Sequence, residues 1–231
     1  MALIRTGGGV AEIRGSIAGT VFSRGPAGAI ARGRIKPINP ATALQGIIRA
    51  RFSALVQYWH VTLSVAERAA WNAYALATNF QNKLGDTIQI GGLACFVRLN
   101  SLMLQMGQAI VEAAPLSSGQ GAQVACPVGA TVATAKVEIG EPTGGFDKTD
   151  PLEFIAVYAG LPMSIGRTSS PRGYRYVGKI QGNAVPPVFA QSFDWPYPAV
   201  TGQHYPISVT HVDKENRVSA AAEYLANVIA A

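Results

Sequence analysis

Leu152-Glu153-Phe154-Ile155-Ala156-Val157-Tyr158 is the stretch that decides the fold class. It is a short run with β-branched and aromatic residues, bounded by turn signals, which marks a strong strand. Lys136-Val137-Glu138-Ile139 and Tyr174-Arg175-Tyr176-Val177-Gly178-Lys179-Ile180 alternate around it, and Val188-Phe189-Ala190, His204 to Thr210 and Arg217 to Ala220 read as further strands. Glu141-Pro142-Thr143-Gly144-Gly145, Ser169-Ser170-Pro171-Arg172-Gly173, Pro186-Pro187 and Lys214-Glu215-Asn216 supply the turns. Short strands with turn chemistry at this spacing predict an immunoglobulin-like or fibronectin-like antiparallel β-sandwich over residues 131–231. Pro206 has no N–H to donate, so its strand is expected at an edge or a bulge. The tail from Ala220 to Ala231 fits a strand or a short helix.

Ahead of this region the apolar period becomes helical. Asn39-Pro40 reads as an N-cap with proline at the first helical position. Leu44, Ile48, Phe52, Leu55 and Trp59 then recur on one amphipathic face, flanked by Ile47 and Val56. Arg51 projects into that stripe. Either its stem packs and its head snorkels outward, or it is a paired arginine at a subunit contact. Ser64-Val65-Ala66-Glu67 is a capping box, so a second helix starts near Val65, and the short turn makes the two helices antiparallel neighbours. Thr87 to Ile90 reads as a short strand. A third helix, apolar over most of its circumference, is expected from about Leu93 to Glu112 as the most buried element. Pro115 and Ser117-Ser118-Gly119-Gln120-Gly121 then punctuate the chain. The class is α+β, with an extended arm over 1–38, a helical domain over 39–114, a linker over 115–130 and the sandwich over 131–231.

Charge is uneven along the chain. Residues 1–51 carry Arg5, Arg14, Arg24, Arg32, Arg34, Lys36, Arg49 and Arg51 against Glu12 alone, a net +7, whereas residues 52–231 are net −1. Arginine suits planar, bidentate contacts and tolerates burial in interfaces. Short apolar pieces lie between the arm's glycines, and a solvated tail has no use for Ile17, Val21, Phe22 and Ile30. The pattern predicts short extended segments joined by turns, ordering foremost against a partner protein, or else against nucleic acid or the chain's own domain. Arg14, Ile17, Val21, Phe22, Arg24, Ile30, Arg32, Arg34, Lys36 and Arg51 are the candidate subunit-interaction residues. The 48% apolar content excludes wholesale disorder. No run of about 20 apolar residues predicts a membrane-spanning helix. Met1 to Val10 has an arginine and three glycines but no apolar stretch before a cleavage site, so no secretory signal is expected.

Chemistry-bearing patterns are scarce. His60, His204 and His211 have no partner at metal-ligand spacing. Cys95 and Cys126 sit among apolar neighbours and read as buried free thiols. There is no G-x-S-x-G, no phosphate-loop motif and no H-E-x-x-H. Asp147 with Asp150, and Asp213 with Glu215, lie in turn-like sequence where Asp bonds its own backbone. No catalytic residue, metal or cofactor is expected. Trp195-Pro196-Tyr197-Pro198 is an aromatic loop in which Trp195 and Tyr197 either stack a sugar or pack a sandwich corner.

The run Gly15-Ser16-Ile17-Ala18-Gly19-Thr20-Val21-Phe22-Ser23-Arg24 is followed by Gly28, Arg32 and Arg34, and then by Lys36-Pro37-Ile38-Asn39-Pro40-Ala41-Thr42-Ala43-Leu44-Gln45. Arg49, Arg51-Phe52, Trp59, Leu63, Glu67-Arg68, Ala70-Trp71 and Phe96-Val97-Arg98-Leu99-Asn100 continue the pattern. Over about residues 7–104 this combination resembles uncharacterised structural proteins encoded in the virion modules of tailed bacteriophages. The resemblance implies a non-enzymatic virion component without catalytic residues, and does not say which part of the particle it occupies. A head decoration or cement protein is the leading expectation, with arm and helices docked on the capsid and the sandwich outward. The expected partners are other virion proteins, namely the major capsid protein or neck and tail subunits, and copies of the chain itself. A neck or tail protein is the alternative. In a different class stands a nucleic-acid-binding protein using the basic arm, although Phe22 is the arm's only aromatic residue, too few for a single-strand binder. A surface lectin resting on Trp195 and Tyr197 is the third reading.

Overall fold

The computed structural model describes residues 2–4, 12–26, 28–35, 39–82, 84–131, 136–164, 166–167, 173–183, 191–197 and 202–229. The chain is a mixed α+β protein, with three helices in its N-terminal half, antiparallel sheets mostly in its C-terminal half, and no closed barrel among the described residues. Two compact units form, Met1–Ser101 with Glu112–Ala114 and Leu102–Val111 with Pro115–Ala231.

The first unit opens with β1 (Ala2–Ile4), β2 (Gly15–Ile17), β3 (Thr20–Gly25) and β4 (Gly28–Gly33), an antiparallel sheet in the order β1-β4-β3-β2. The short extended pieces expected of the arm are present, and they satisfy their backbone groups on one another. Ala18 (φ 44°) and Gly19 (φ 81°) join β2 to β3. Positive φ at both central residues marks a type I′ turn, whose twist matches that of the strands it joins.

Helix α1 (Ala43–Val61) does not start at the Asn39-Pro40 signal. Ala41 sits at φ 48°, outside helical space, and Thr42 is the N-cap, its Oγ1 accepting from Gln45 N at 3.4 Å. Asn39 instead organises the approach, its Oδ1 accepting from Ala41 N at 3.3 Å and Arg49 Nη2 at 3.0 Å. Helix α2 (Val65–Ala77) starts as its capping box predicts, with Glu67 N donating to Ser64 Oγ at 3.2 Å and Ser64 N to Glu67 Oε2 at 2.7 Å. A small ladder of β5 (Phe80–Gln81) and β6 (Thr87–Ile88) follows.

Helix α3 (Gly92–Gln105) ends well short of Glu112. Gly107 (φ 73°) takes the left-handed position, Gln108 N donates to Met103 O at 2.9 Å and Gly107 N to Leu104 O at 3.3 Å, which is a Schellman stop. The apolar residues beyond Gly107 suggest a longer helix, but a single left-handed glycine outweighs them. At the other end a Cβ on Gly92 would fall 2.4 Å from Asn72 Oδ1 and 2.9 Å from Trp71 C. Only glycine lets α3 approach α2 this closely. Phe96, with no exposed surface, is the hub of this core. Its ring meets Trp59 at 5.5 Å, Trp71 edge-on at 5.6 Å and Tyr58 at 6.4 Å between centroids. Trp71 donates its indole N–H to Glu112 O at 2.8 Å, and Tyr58 donates to the Glu112 carboxylate.

The second unit contains β7 (Val128–Thr131), β8 (Lys136–Ile139), β9 (Phe154–Ala159), β10 (Met163–Ser164), β11 (Arg175–Gln181), β12 (Gln191–Asp194), β13 (Gln203–Val212) and β14 (Ala222–Ile229). They form one sheet in the order β11-β9-β13-β14-β7-β8-β12, with β10 pairing β13. All pairs are antiparallel except β14 with β7. The strand at 152–158 is real and begins at Phe154. The tail is a strand, and Val188-Phe189-Ala190 lies outside the described residues. The stretch 115–130 places Val124 and Cys126 in the core and enters β7. Tyr224 ties it down, donating to Val124 O at 3.1 Å and accepting from Cys126 N at 3.3 Å.

Ile139, Ile155, Val157, Ile180, Ile207 and Val209 bring both halves of this sheet into one apolar core. Strand β13 is buried along most of both faces and does not alternate. One face lines that core. On the other, Tyr158 of the adjoining β9 donates to Gln105 Oε1 at 3.0 Å, from the segment 102–111 that belongs to this unit. Pro206 is not in an edge strand, since β13 runs between β9 and β14. Its carbonyl accepts from Gly160 N at 2.8 Å, and pairing on that side passes from β9 at Ile207 to β10 at His204. The missing donor therefore falls at a break between two partners, where the ladder needs none.

Candidate functional site

The registers of β2, β3 and β4 sort the arm residues onto two faces. Val21 stands opposite Arg32, and Ser23 opposite Ile30. Ile17 pairs with Thr20, Phe22 with Ala31, and Arg24 with Ala29. Because directly paired residues share a face and successive residues alternate, Val21, Ile30 and Arg32 lie on one side and Ile17, Phe22 and Arg24 on the other. Each face mixes apolar side chains with an arginine, so neither is a purely core-facing nor a purely solvent-facing surface. Val21, Phe22 and Ile30 are half-buried, while Ile17 and Ile35 are 65% and 81% exposed.

The arm's arginines divide in the same way. Glu12 accepts from Arg14 Nε at 2.8 Å and lies 3.7 Å from Arg24 Nη1. The guanidinium groups of Arg32 and Arg34 make no hydrogen bond or ion pair with any described residue. Exposed pairs such as these contribute little to stability, so the arginines remain available for other anions. Lys36 lies outside the described residues. Arg51 is half-buried on α1, and its guanidinium has no partner among the described residues. The sheet thus brings Ile17, Val21, Phe22, Arg24, Ile30 and Arg32 together, with Arg14 and Arg34 at its margins, and Arg51 stands on a separate element.

No protein-family model, curated protein or solved structure matches this chain.

Trp195 and Tyr197 are both half-buried. Trp195 packs edge-on against the buried Tyr205 at 4.6 Å between centroids. Tyr197 donates to Gly173 O at 3.4 Å, and Arg175 lies 5.1 Å from its ring centroid. Both rings therefore already make contacts within the fold.

The acidic pairs behave as turn residues. Asp147 Oδ1 accepts from Thr149 N at 2.9 Å, Asp150 Oδ1 from Leu152 N at 2.9 Å, and Asp213 from Arg217 N and Nε, each at 2.8 Å. The Thr149 hydroxyl and amide hold Asp147 below the usual carboxylate range. Cys95 and Cys126 are free and buried, and desolvation pushes both thiols up to about 11, which leaves them poor nucleophiles. Among the described residues no three His, Cys, Asp or Glu side chains cluster as metal ligands do.

Two features escape a reading of the sequence. His211, which looks like an ordinary strand residue, is buried with Nδ1 3.0 Å from Ala122 O and Nε2 3.2 Å from Glu153 Oε2. The same carboxylate oxygen accepts from Asp147 N at 2.7 Å. Nothing in the local pattern links residues so far apart. The second is the N-terminal half of α1. Its Leu44, Ile48 and Phe52 continue the stripe of Leu55 and Trp59, yet they face outward.

Proposed function

We propose that this protein is a non-enzymatic structural component of a tailed-phage virion, a head decoration or cement protein that docks by its N-terminal sheet and helices. The observation that carries the reading is the N-terminal sheet of β1 to β4. Arginine and apolar side chains share both of its faces, and Ile17 and Ile35 are left in solvent. A ribbon of this kind suits insertion between neighbouring subunits, where each face meets a protein surface and arginines pair with its carboxylates. The resemblance over residues 7–104 points the same way.

We further infer that the second unit is an immunoglobulin-like sandwich. Lettered in chain order, β7, β8 and β12 correspond to strands A, B and E, and β9, β13 and β14 to C, F and G. The sheet path keeps these two groups contiguous, and their side chains share one core. A compact module of this type suits the outward face of a particle.

Quantitative mass spectrometry of purified particles tests the reading. A copy number near that of the major shell protein supports decoration or cement. A handful of copies per particle assigns the chain to the neck or tail. Absence from the particle overturns the structural reading and leaves the basic arm as a nucleic-acid contact, whose affinity would fall steeply with salt.

A further inference from the structure

Helix α1 carries one apolar stripe that is used in two ways. Toward its C-terminal end Leu55 and Trp59 are 0% and 6% exposed and help build the helical core. Toward its N-terminal end Leu44, Ile47, Ile48 and Phe52 are between 49% and 66% exposed. At about 100° per residue all of these side chains fall within one face of the helix, so the buried seam continues into solvent as an apolar strip. An isolated exposed leucine needs no explanation, but a contiguous apolar strip on one face marks an interaction site. Arg51 falls in the middle of this strip. It is half-buried and has no hydrogen-bond or ion-pair partner among the described residues.

The charge around the strip selects its occupant. No Asp or Glu occurs between Ile13 and Ala66, whereas Arg49 and Arg51 lie on α1 itself. A second copy docked symmetrically on this face would bring Arg51 toward Arg51, and the Glu112 carboxylate beside α1 is already engaged by Tyr58, so the like charges would meet without a partner of their own. A surface that is apolar but carries a carboxylate meets both requirements. It covers Leu44, Ile48 and Phe52, and it gives the Arg51 guanidinium the bidentate partner it lacks.

We propose that the N-terminal half of α1 docks on a different protein of the same particle, through an apolar groove or helix bearing an Asp or Glu that pairs with Arg51. This rests on the virion reading, because it takes the partner to be another subunit. Phe52 and Ile48 are the apolar anchors and Arg51 sets the register. The contact is separate from the N-terminal sheet, so the chain holds its neighbours at more than one place.

The test uses full-length chain incorporated into particles. Arg51→Glu and Leu44→Ser alter exposed or half-exposed positions, and circular dichroism of each purified variant checks that the helices are intact. Incorporation of Arg51→Glu is expected to fall about tenfold or more relative to wild type, with Arg51→Lys intermediate and Leu44→Ser reduced. A photo-crosslinking phenylalanine analogue at Phe52 is expected to link to an Asp- or Glu-containing peptide of another virion protein. Unchanged incorporation of folded Arg51→Glu and Leu44→Ser overturns the proposal while leaving the virion reading intact. So does a crosslink to a second copy or to residues 1–38 of the same chain. Absence of the wild-type chain from particles overturns both readings at once.

Discussion

His211 and Glu153 meet in the interior of the second unit, with Nε2 3.2 Å from Oε2 and side chains only 2% and 5% exposed. Both ring nitrogens face acceptors, since Nδ1 lies 3.0 Å from Ala122 O. Phe146 packs T-shaped against the imidazole at 5.8 Å between centroids. The pair joins β13 to the turn ahead of β9 and, through Asp147 N, to the loop before it.

Removing one member leaves the other buried without its partner. His211→Ala is expected to destabilise the second unit by about 1–3 kcal/mol, the cost of a buried polar group left without its partner. Adding Glu153→Gln, which removes the charge but keeps an acceptor for Asp147 N, should recover part of that loss. Urea denaturation of the single and double variants measures the difference. A single variant as stable as wild type would show that the pair contributes nothing.

Phe96 is the aromatic hub of the helical core, touching Trp59, Trp71 and Tyr58. Phe96→Ala is expected to cost about 3–5 kcal/mol, because the cavity lies between three ring systems that cannot all collapse into it. The loss should appear as a lower denaturant midpoint with tryptophan fluorescence as the probe.

The capping box ties the stability of α2 to pH. The Ser64 hydroxyl, and next its amide, hold the Glu67 carboxyl below its usual value. A lowered folded value contributes stability that is present above the unfolded carboxylate range and is lost as pH falls through the folded value. Ser64→Ala should therefore lower the melting temperature at pH 7, and the gap from wild type should narrow in acid. An equal gap at both pH values would remove Glu67 from the account.

Both cysteines should be inert in the folded chain. Burial raises the two thiols to about 11. At pH 8 a disulfide reagent is expected to leave Cys95 and Cys126 unmodified in buffer and to modify both in denaturant. With the folded value raised, the stabilising contribution is complete below the ordinary thiol value and is lost as pH rises toward about 11. Fast labelling of the native protein would mean that one thiol is reached by local opening.

Among the described residues strands β1 to β4 pair only with one another. Deleting residues 1–38 therefore strands no other β-edge, and the shortened chain is expected to stay soluble and helical while no longer entering particles. Insolubility of the shortened chain would mean that the N-terminal sheet covers helix surface in unit one.

Much of the architecture is local, and local chemistry is legible. The Ser64-Glu67 box starts α2 because its groups lie within one turn of each other. The strands at 136–139 and 174–180 announce themselves by alternation. The run at 152–158 does so by β-branched and aromatic content between turns. Asp147, Asp150 and Asp213 bind their own turns because the donors are two to four residues away.

Boundaries and partners are decided elsewhere. The Asn39-Pro40 signal yields to the left-handed Ala41, and the apolar run after α3 yields to Gly107. Pro206 sits in an interior strand because the chain leaves β9 just where its missing donor falls. The candidate interaction residues were identifiable by composition, but their division between two faces follows from strand register, which depends on turns and pairing together.

The sequence by itself determined the α+β class, the helix in which Arg51 stands and the basic N-terminal segment 1–51. These follow from periodicity, capping chemistry and charge, which act over a few residues. Only the tertiary structure decided that half of the α1 stripe is buried and half exposed, and that His211 closes on Glu153. Burial is a property of what packs against a face, and the groups that meet there are separated by tens of residues of chain.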